Sequence, residues 1–155
     1  MTSHPRDMTD ELINAFGVIP KLMPFLHLPV QSGSNRILKS MNRGHVVEEY
    51  VEIINKLRFV RKDICFSSDF IVGYPGETDK DFQETIDLCK QVHFAQAYSF
   101  NYSSRPGTPA SRKEELDENL KKTRLHVLQD LLNKQQKNFL NEQKNRIHKV
   151  LFEKI

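Results

Sequence analysis

Three short segments gather the residue types best suited to holding a ligand: Gln31-Ser32-Gly33, Gly73-Tyr74-Pro75-Gly76-Glu77 and Ser103-Ser104-Arg105-Pro106-Gly107-Thr108. Each follows a short, β-rich run. Glycine carries no Cβ and lets the backbone come close to a bound group. Gln31 and Ser32 carry donors and acceptors for hydroxyls, and Arg105 offers a planar fork for a carboxylate or phosphate. A single Gly-Pro loop is ordinarily a turn. These three matter together, because loops that follow the strands of a βα architecture converge on one face and line one site.

Thiol chemistry is the less promising alternative. Cys65 and Cys89 are the only cysteines and stand in no short ligand spacing, so the sequence points to neither a disulfide framework nor a zinc site. Both read as buried thiols. His27, within an apolar run, reads as a hydrogen-bonded core histidine rather than a ligand.

The elements that must position these loops follow from periodicity. A helix is expected over residues 9–16, with Thr9 as N-cap, Gly17 as the left-handed residue past its end and Pro20 preventing its resumption. Residues 25–30, Phe-Leu-His-Leu-Pro-Val, form a strand, with Pro29 marking a terminus or break because it cannot donate to a ladder. A short helix over 34–41 precedes a longer one over 46–58, where Val47, Tyr50, Val51, Ile54 and Leu57 make an amphipathic stripe. Residues 64–72 are a second strand. Thr78 with Asp81 resembles a capping box, opening a helix with Phe82, Ile86 and Cys89 on one face and ending near Val92. Residues 94–102 alternate Ala95, Ala97 and Ser99 with Gln96, Tyr98 and Phe100, a strand with two distinct faces. From 117 to 146 the chain lacks Gly and Pro and places Leu125, Leu128, Leu132 and Phe139 on one face of a long helix. The tail from 149 to 155 reads as an isolated strand.

This order is βα repetition: an α/β fold with a parallel sheet. Three strands are better explained as part of a larger barrel than as a finished domain.

Composition bounds the function classes. The 155 residues are 38% hydrophobic and 28% charged, ordinary for a soluble domain with a real core, and no apolar run is long enough for a membrane helix. No signal or transit segment is evident, and the expected compartment is the cytoplasm. Net charge is +3 but uneven: residues 121–149 hold eight Lys or Arg against Asp130 and Glu142. A basic helix of this kind suits a phosphate backbone, although most charge runs are solvated faces.

The stretches Thr2-Ser3-His4-Pro5, Leu26-His27-Leu28-Pro29-Val30-Gln31-Ser32-Gly33-Ser34, Met41-Asn42-Arg43-Gly44-His45, Ser67-Ser68-Asp69-Phe70-Ile71-Val72-Gly73-Tyr74-Pro75-Gly76-Glu77-Thr78 and Tyr102-Ser103-Ser104-Arg105-Pro106-Gly107-Thr108-Pro109-Ala110 resemble the MiaB-type radical S-adenosylmethionine tRNA methylthiotransferases. Several long motifs in order are far more specific than any one pattern. The resemblance runs to about Gln135. It implies the second half of a partial (β/α)6 radical SAM barrel over residues 1–112, a C-terminal helical segment over 113–147 and the truncated start of a TRAM domain over 148–155.

The implied activity is transfer of a methylthio group to C2 of N6-isopentenyladenosine at position 37 of tRNA, using S-adenosylmethionine and two [4Fe-4S] clusters. The implied S-adenosylmethionine pocket draws on Gln31 and Ser32 near its ribose or methionine part and on Asp69, Ile71 and Gly73 beside its adenine. Arg105 and Arg43 would meet its carboxylate or an RNA phosphate. Two scattered cysteines cannot supply the three thiolates of even one such cluster. The chain is therefore expected to be inactive alone, with the tRNA anticodon stem-loop and a separately encoded N-terminal half as expected partners. A related methylthiotransferase acting on threonylcarbamoyl-adenosine or on a ribosomal protein, and a non-catalytic RNA-binding remnant, are the alternatives.

Overall fold

A computed structural model describes residues 3–147. Three parallel strands, β1 (Phe25–His27), β2 (Cys65–Val72) and β3 (Gln96–Asn101), form one sheet in the order β1-β2-β3. The helices are α1 (Asp10–Val18), α2 (Asn35–Ser40), α3 (Val47–Val60), α4 (Asp79–Val92) and α5 (Glu118–Gln143). The expected order of strands and helices is present, and the isolated strand expected at 149–155, like the TRAM start at 148–155, lies outside the described residues. Among these residues no helix is long and apolar enough to cross a membrane.

Packing follows the sequence stripes. Tyr50, Ile54 and Leu57 of α3 are buried, and the Tyr50 hydroxyl donates to Leu28 O at 2.9 Å, tying the helix to the chain just past β1. Leu26, Leu28 and Val30, with Phe66, Phe70 and Val72 of β2, complete the core beneath the helices. Leu128 and Leu132 of α5 belong to the same cluster, and α5 packs across β3 and β2. The opposite face of the sheet is not covered in this way: Phe25, Tyr98 and Phe100 are 40%, 50% and 54% exposed.

Two local expectations need correction. Gly17 does not end α1 in a left-handed conformation; the helix continues to Val18 and closes on an extended Ile19. A Cβ on Gly17 would stand 3.1 Å from Val60 Cβ, so its smallness serves the contact of α1 with α3. The strand expected over 25–30 is regular only to His27. Pro29 lacks the N–H that would continue the ladder. Pairing resumes at Gln31, whose N–H donates to Asp69 O at 3.0 Å and whose carbonyl accepts from Ile71 N at 2.9 Å.

The capping box is as expected: the Thr78 hydroxyl accepts from Asp81 N, and the Asp81 carboxylate accepts from Thr78 N at 2.7 Å. Burial pushes the Asp81 carboxyl up, but hydrogen bonds from Arg36, Ser34 and Thr78 outweigh it and hold the group below the usual carboxylate range.

Candidate functional site at the strand ends

The carboxyl ends of the three strands open into a cavity of about 860 Å3. Gln31 reaches it because the break at Pro29 is followed by a left-handed residue, with φ 78° at Gln31. Asp69 and Ile71 reach it from alternate positions of β2, on the face away from the helices. Arg43 enters from the α2 to α3 turn and Arg105 from the loop after β3. Five of the seven residues singled out from the sequence thus share one cavity.

Ser32 and Gly73 do not line it. Ser32 is fully buried, its hydroxyl 3.4 Å from Thr85 Oγ1 and accepting from Ser34 N at 3.1 Å, which fixes the turn into α2. Gly73, with φ 71°, passes beneath α5, where a Cβ would meet Lys121 Cγ at 2.5 Å. The Gly73-to-Glu77 turn is an anchor. Gly73 N–H donates to Glu77 Oε1 at 3.1 Å, and Arg124 of α5 donates to the same oxygen at 2.7 Å. Burial pushes the Glu77 carboxyl up, opposed by that N–H and by Arg124. From this turn Tyr74 lines the cavity, its hydroxyl held by Ser40 O at 2.8 Å.

The cavity's charges are opposed. Arg43 makes no hydrogen bond or ion pair through its guanidinium among the described residues; burial pushes it down and the Asp69 carboxylate offsets this. Asp69 is held from the other side by His27, whose Nε2 lies 3.4 Å from Asp69 Oδ2 while its Nδ1 lies 2.8 Å from Ser67 Oγ. His27 is hydrogen-bonded, as expected, but it stands on the open face of the sheet rather than in the helix-covered core. The clue was present: His27, Ser67 and Asp69 are polar and fall on one face of adjacent strands.

Asn101 and Tyr102 are not among the residues that the sequence singles out. Both line the cavity, and among the described residues Asn101 Oδ1 and Tyr102 Oη are buried without a hydrogen-bond partner. Such atoms call for a ligand or water to complete them. Their position at the carboxyl end of β3 was the available signal. The cavity therefore presents two cations, a carboxylate, an unpaired amide oxygen and the apolar flank of Ile71, a donor and acceptor set for a charged, hydroxyl-bearing small molecule.

A family model of the radical SAM superfamily matches residues 1–89. The chain belongs to the radical SAM superfamily. It is 58% identical over 99% of its length to a Rickettsia felis protein named tRNA-2-methylthio-N(6)-dimethylallyladenosine synthase, and likewise 58% identical to one of that name from Maricaulis maris. A Rickettsia akari protein of the same name is 62% identical over 88% of the chain. This radical SAM chain covers 35%, 34% and 31% of those three relatives, about a third of their length. Its fold is similar to that of Escherichia coli coproporphyrinogen III oxidase, a radical SAM enzyme, with a TM-score of 0.69 over 86% of this chain and 31% of the other at 19% identity.

The two cysteines of this radical SAM chain lie apart from the cavity. Cys65 opens β2, at the end of the sheet remote from it, and is only partly buried, contrary to expectation, because it starts the strand where the chain enters the sheet; Cys89 is buried in α4 as expected. Burial pushes both thiols up. Among the described residues no group of three or more His, Cys, Asp or Glu could hold a metal ion.

Proposed function

We propose that this chain is the carboxyl-terminal half of the radical SAM barrel of a tRNA methylthiotransferase, and that the strand-end cavity is its share of the S-adenosylmethionine pocket. The observation that carries this is the convergence of Gln31, Arg43, Asp69, Ile71 and Arg105 on one cavity within a chain 58% identical to enzymes of that name. The whole enzyme's reaction, methylthiolation at C2 of N6-isopentenyladenosine in the tRNA anticodon loop, is proposed with it, in a cytoplasmic setting.

The residues present fit the organic cofactor. Arg43 and Arg105 are without ion-pair partners among the described residues and suit its carboxylate. The Asp69 carboxylate and the unpartnered Asn101 Oδ1 accept from hydroxyl or amino groups, and Ile71 offers an apolar surface to a base. When bound, S-adenosylmethionine supplies a sulfonium whose carbon–sulfur bond is cleaved on reduction. His27 keeps Asp69 oriented and Tyr74 closes the wall.

An iron–sulfur cluster does not fit the same residues. Three thiolates are needed in one place, and the two cysteines here are separate and away from the cavity, with burial raising both thiols further. No step through a cluster is assigned to this chain. Cluster ligands come from residues outside it, in a separately made amino-terminal portion or a longer form of the chain, and the chain alone is inactive.

Coexpression of this chain with the amino-terminal portion of a relative, in cells lacking the modification, should restore 2-methylthio-N6-isopentenyladenosine in tRNA hydrolysates analysed by mass spectrometry. Restoration by the chain alone would refute the division of labour. A soluble complex that leaves the nucleoside unmodified would refute the assigned reaction.

A further inference from the structure

The cations of α5 fall into two sets. Lys121 and Arg124 are buried and spent on the fold: Lys121 pairs with Glu118 and, at 2.8 Å, with Glu115, and Arg124 pairs with Glu77 and Asp79. Lys122, Lys134, Lys137 and the capping Lys144 are exposed, and among the described residues none makes an ion pair. Elsewhere some exposed lysines do, Lys56 with Asp10 and Glu52, Lys80 with Glu84 and Lys90 with Asp87, while Lys21, Lys39, Lys62 and Lys113 make no ion pair among the described residues but are scattered over separate segments.

At 100° per residue the free lysines, with the exposed His126, fall within about a third of the helix circumference, opposite buried Leu128 and Leu132. Lys122 and Lys137 are roughly 22 Å apart along the axis, at about 1.5 Å per residue. Among the described residues Asp130 is the one acid on that face. Asn133 and Asn141 lie between the lysines, and Leu140 is its one large exposed apolar side chain.

We infer that this face of α5 is a docking track for the phosphate backbone of RNA. A long row of cations separated by amides suits successive phosphate and sugar oxygens. An acidic protein partner would need a desolvated apolar centre, which this face lacks. The buried ends of Lys121 and Arg124 hold the helix against the Gly73-to-Glu77 turn, and Tyr74 of that turn lines the cavity. The amino-terminal turn of α5 thus stands beside the segment that carries Tyr74. The inference deepens the assignment of tRNA as substrate and rests on it for the choice of RNA, but the charged face is observed independently.

The test is fluorescence anisotropy of the full chain with a labelled RNA hairpin across a salt series, comparing Lys134→Glu/Lys137→Glu with the charge-matched Lys21→Glu/Lys62→Glu. Lys21 and Lys62 are exposed and distant in sequence from α5. The α5 pair should lower the slope of log affinity against log salt by about 1 per lysine, and the control pair should leave it near the parent value. Lys134→Gln/Lys137→Gln, which removes the cations without adding repulsion, should lose about the same slope, with a smaller drop in affinity than the Glu pair. Equal loss in both pairs, or none in the α5 pair, overturns the track. A poly-glutamate peptide bound as tightly, with the same dependence on Lys134 and Lys137, overturns the RNA assignment in favour of an acidic polypeptide. A normal α5-dependent slope with no modified nucleoside in the coexpression experiment keeps the track and removes the methylthiotransferase reading; the converse pair of results does the opposite.

Discussion

Arg124 Nη1 stands 2.7 Å from Glu77 Oε1, with the side chains 5% and 1% exposed. This pair joins α5 to the turn after β2, which also carries Tyr74 of the cavity wall. Removing one partner strands a buried charge, so Arg124→Ala should destabilise the chain by about 3 to 5 kcal/mol in urea denaturation. Arg124→Met combined with Glu77→Gln removes both charges and should be markedly less destabilised than either charge-stranding change. If the single and double variants melt alike, the pair contributes only through packing.

Asp81 gives the acid limb of stability a definite sign. Its folded carboxyl is held below the ordinary range by Arg36, Ser34 and Thr78, so its contribution is complete above the unfolded pKa, about 3.9, and is lost as pH falls through the folded value. Asp81→Asn should therefore be less stable than the parent at neutral pH, with the difference beginning to shrink only below about pH 4 and vanishing as pH falls through the folded value. Urea midpoints measured stepwise in pH read this directly. A constant difference at all pH values would assign the effect to packing.

Gly33 and Gly76 predict contrasting alanine scans. A Cβ at Gly33 would lie 2.4 Å from Glu84 O and 2.5 Å from Thr85 Cα, both backbone atoms of α4 that cannot swing aside. Gly33→Ala should cost at least about 1 to 3 kcal/mol by overpacking. A Cβ added at Gly76 would meet nothing within 4 Å, but φ there is 81°, so Gly76→Ala should cost only the left-handed backbone penalty, roughly 1 to 2 kcal/mol. Thermal midpoints should rank them in that order.

Much of this is legible in the residues because one physical cause dominates each signal. The stripe of α3, the Thr78 box and the alternation of β3 are local and survive folding intact. Gly17 misleads because a glycine near a helix end signals a left-handed cap unless a neighbouring helix needs the space, and Val60, which needs it, lies far along the chain in α3. The strand-end loops read as one site, yet Ser32 turns into its own loop and Gly73 under α5. A loop's sequence names its residues but not which of them face the ligand. Asn101 is inconspicuous in the sequence because an unpaired amide stands out only once its neighbours are placed. Lys121 and Arg124 look like surface charge until Glu77, Asp79, Glu115 and Glu118 are brought beside them.

The central assignment is that the strand-end cavity takes S-adenosylmethionine. Amide and side-chain NMR spectra of the full chain, titrated with S-adenosylmethionine into the millimolar range, should shift signals of Gln31, Arg43, Asp69, Ile71 and Asn101 together, and Asp69→Asn should weaken the response. Saturable shifts confined elsewhere, such as the groove that Ile13 and Asn14 of α1 form with Asn55 and Phe59 of α3, or spectra unchanged throughout the titration, would contradict it.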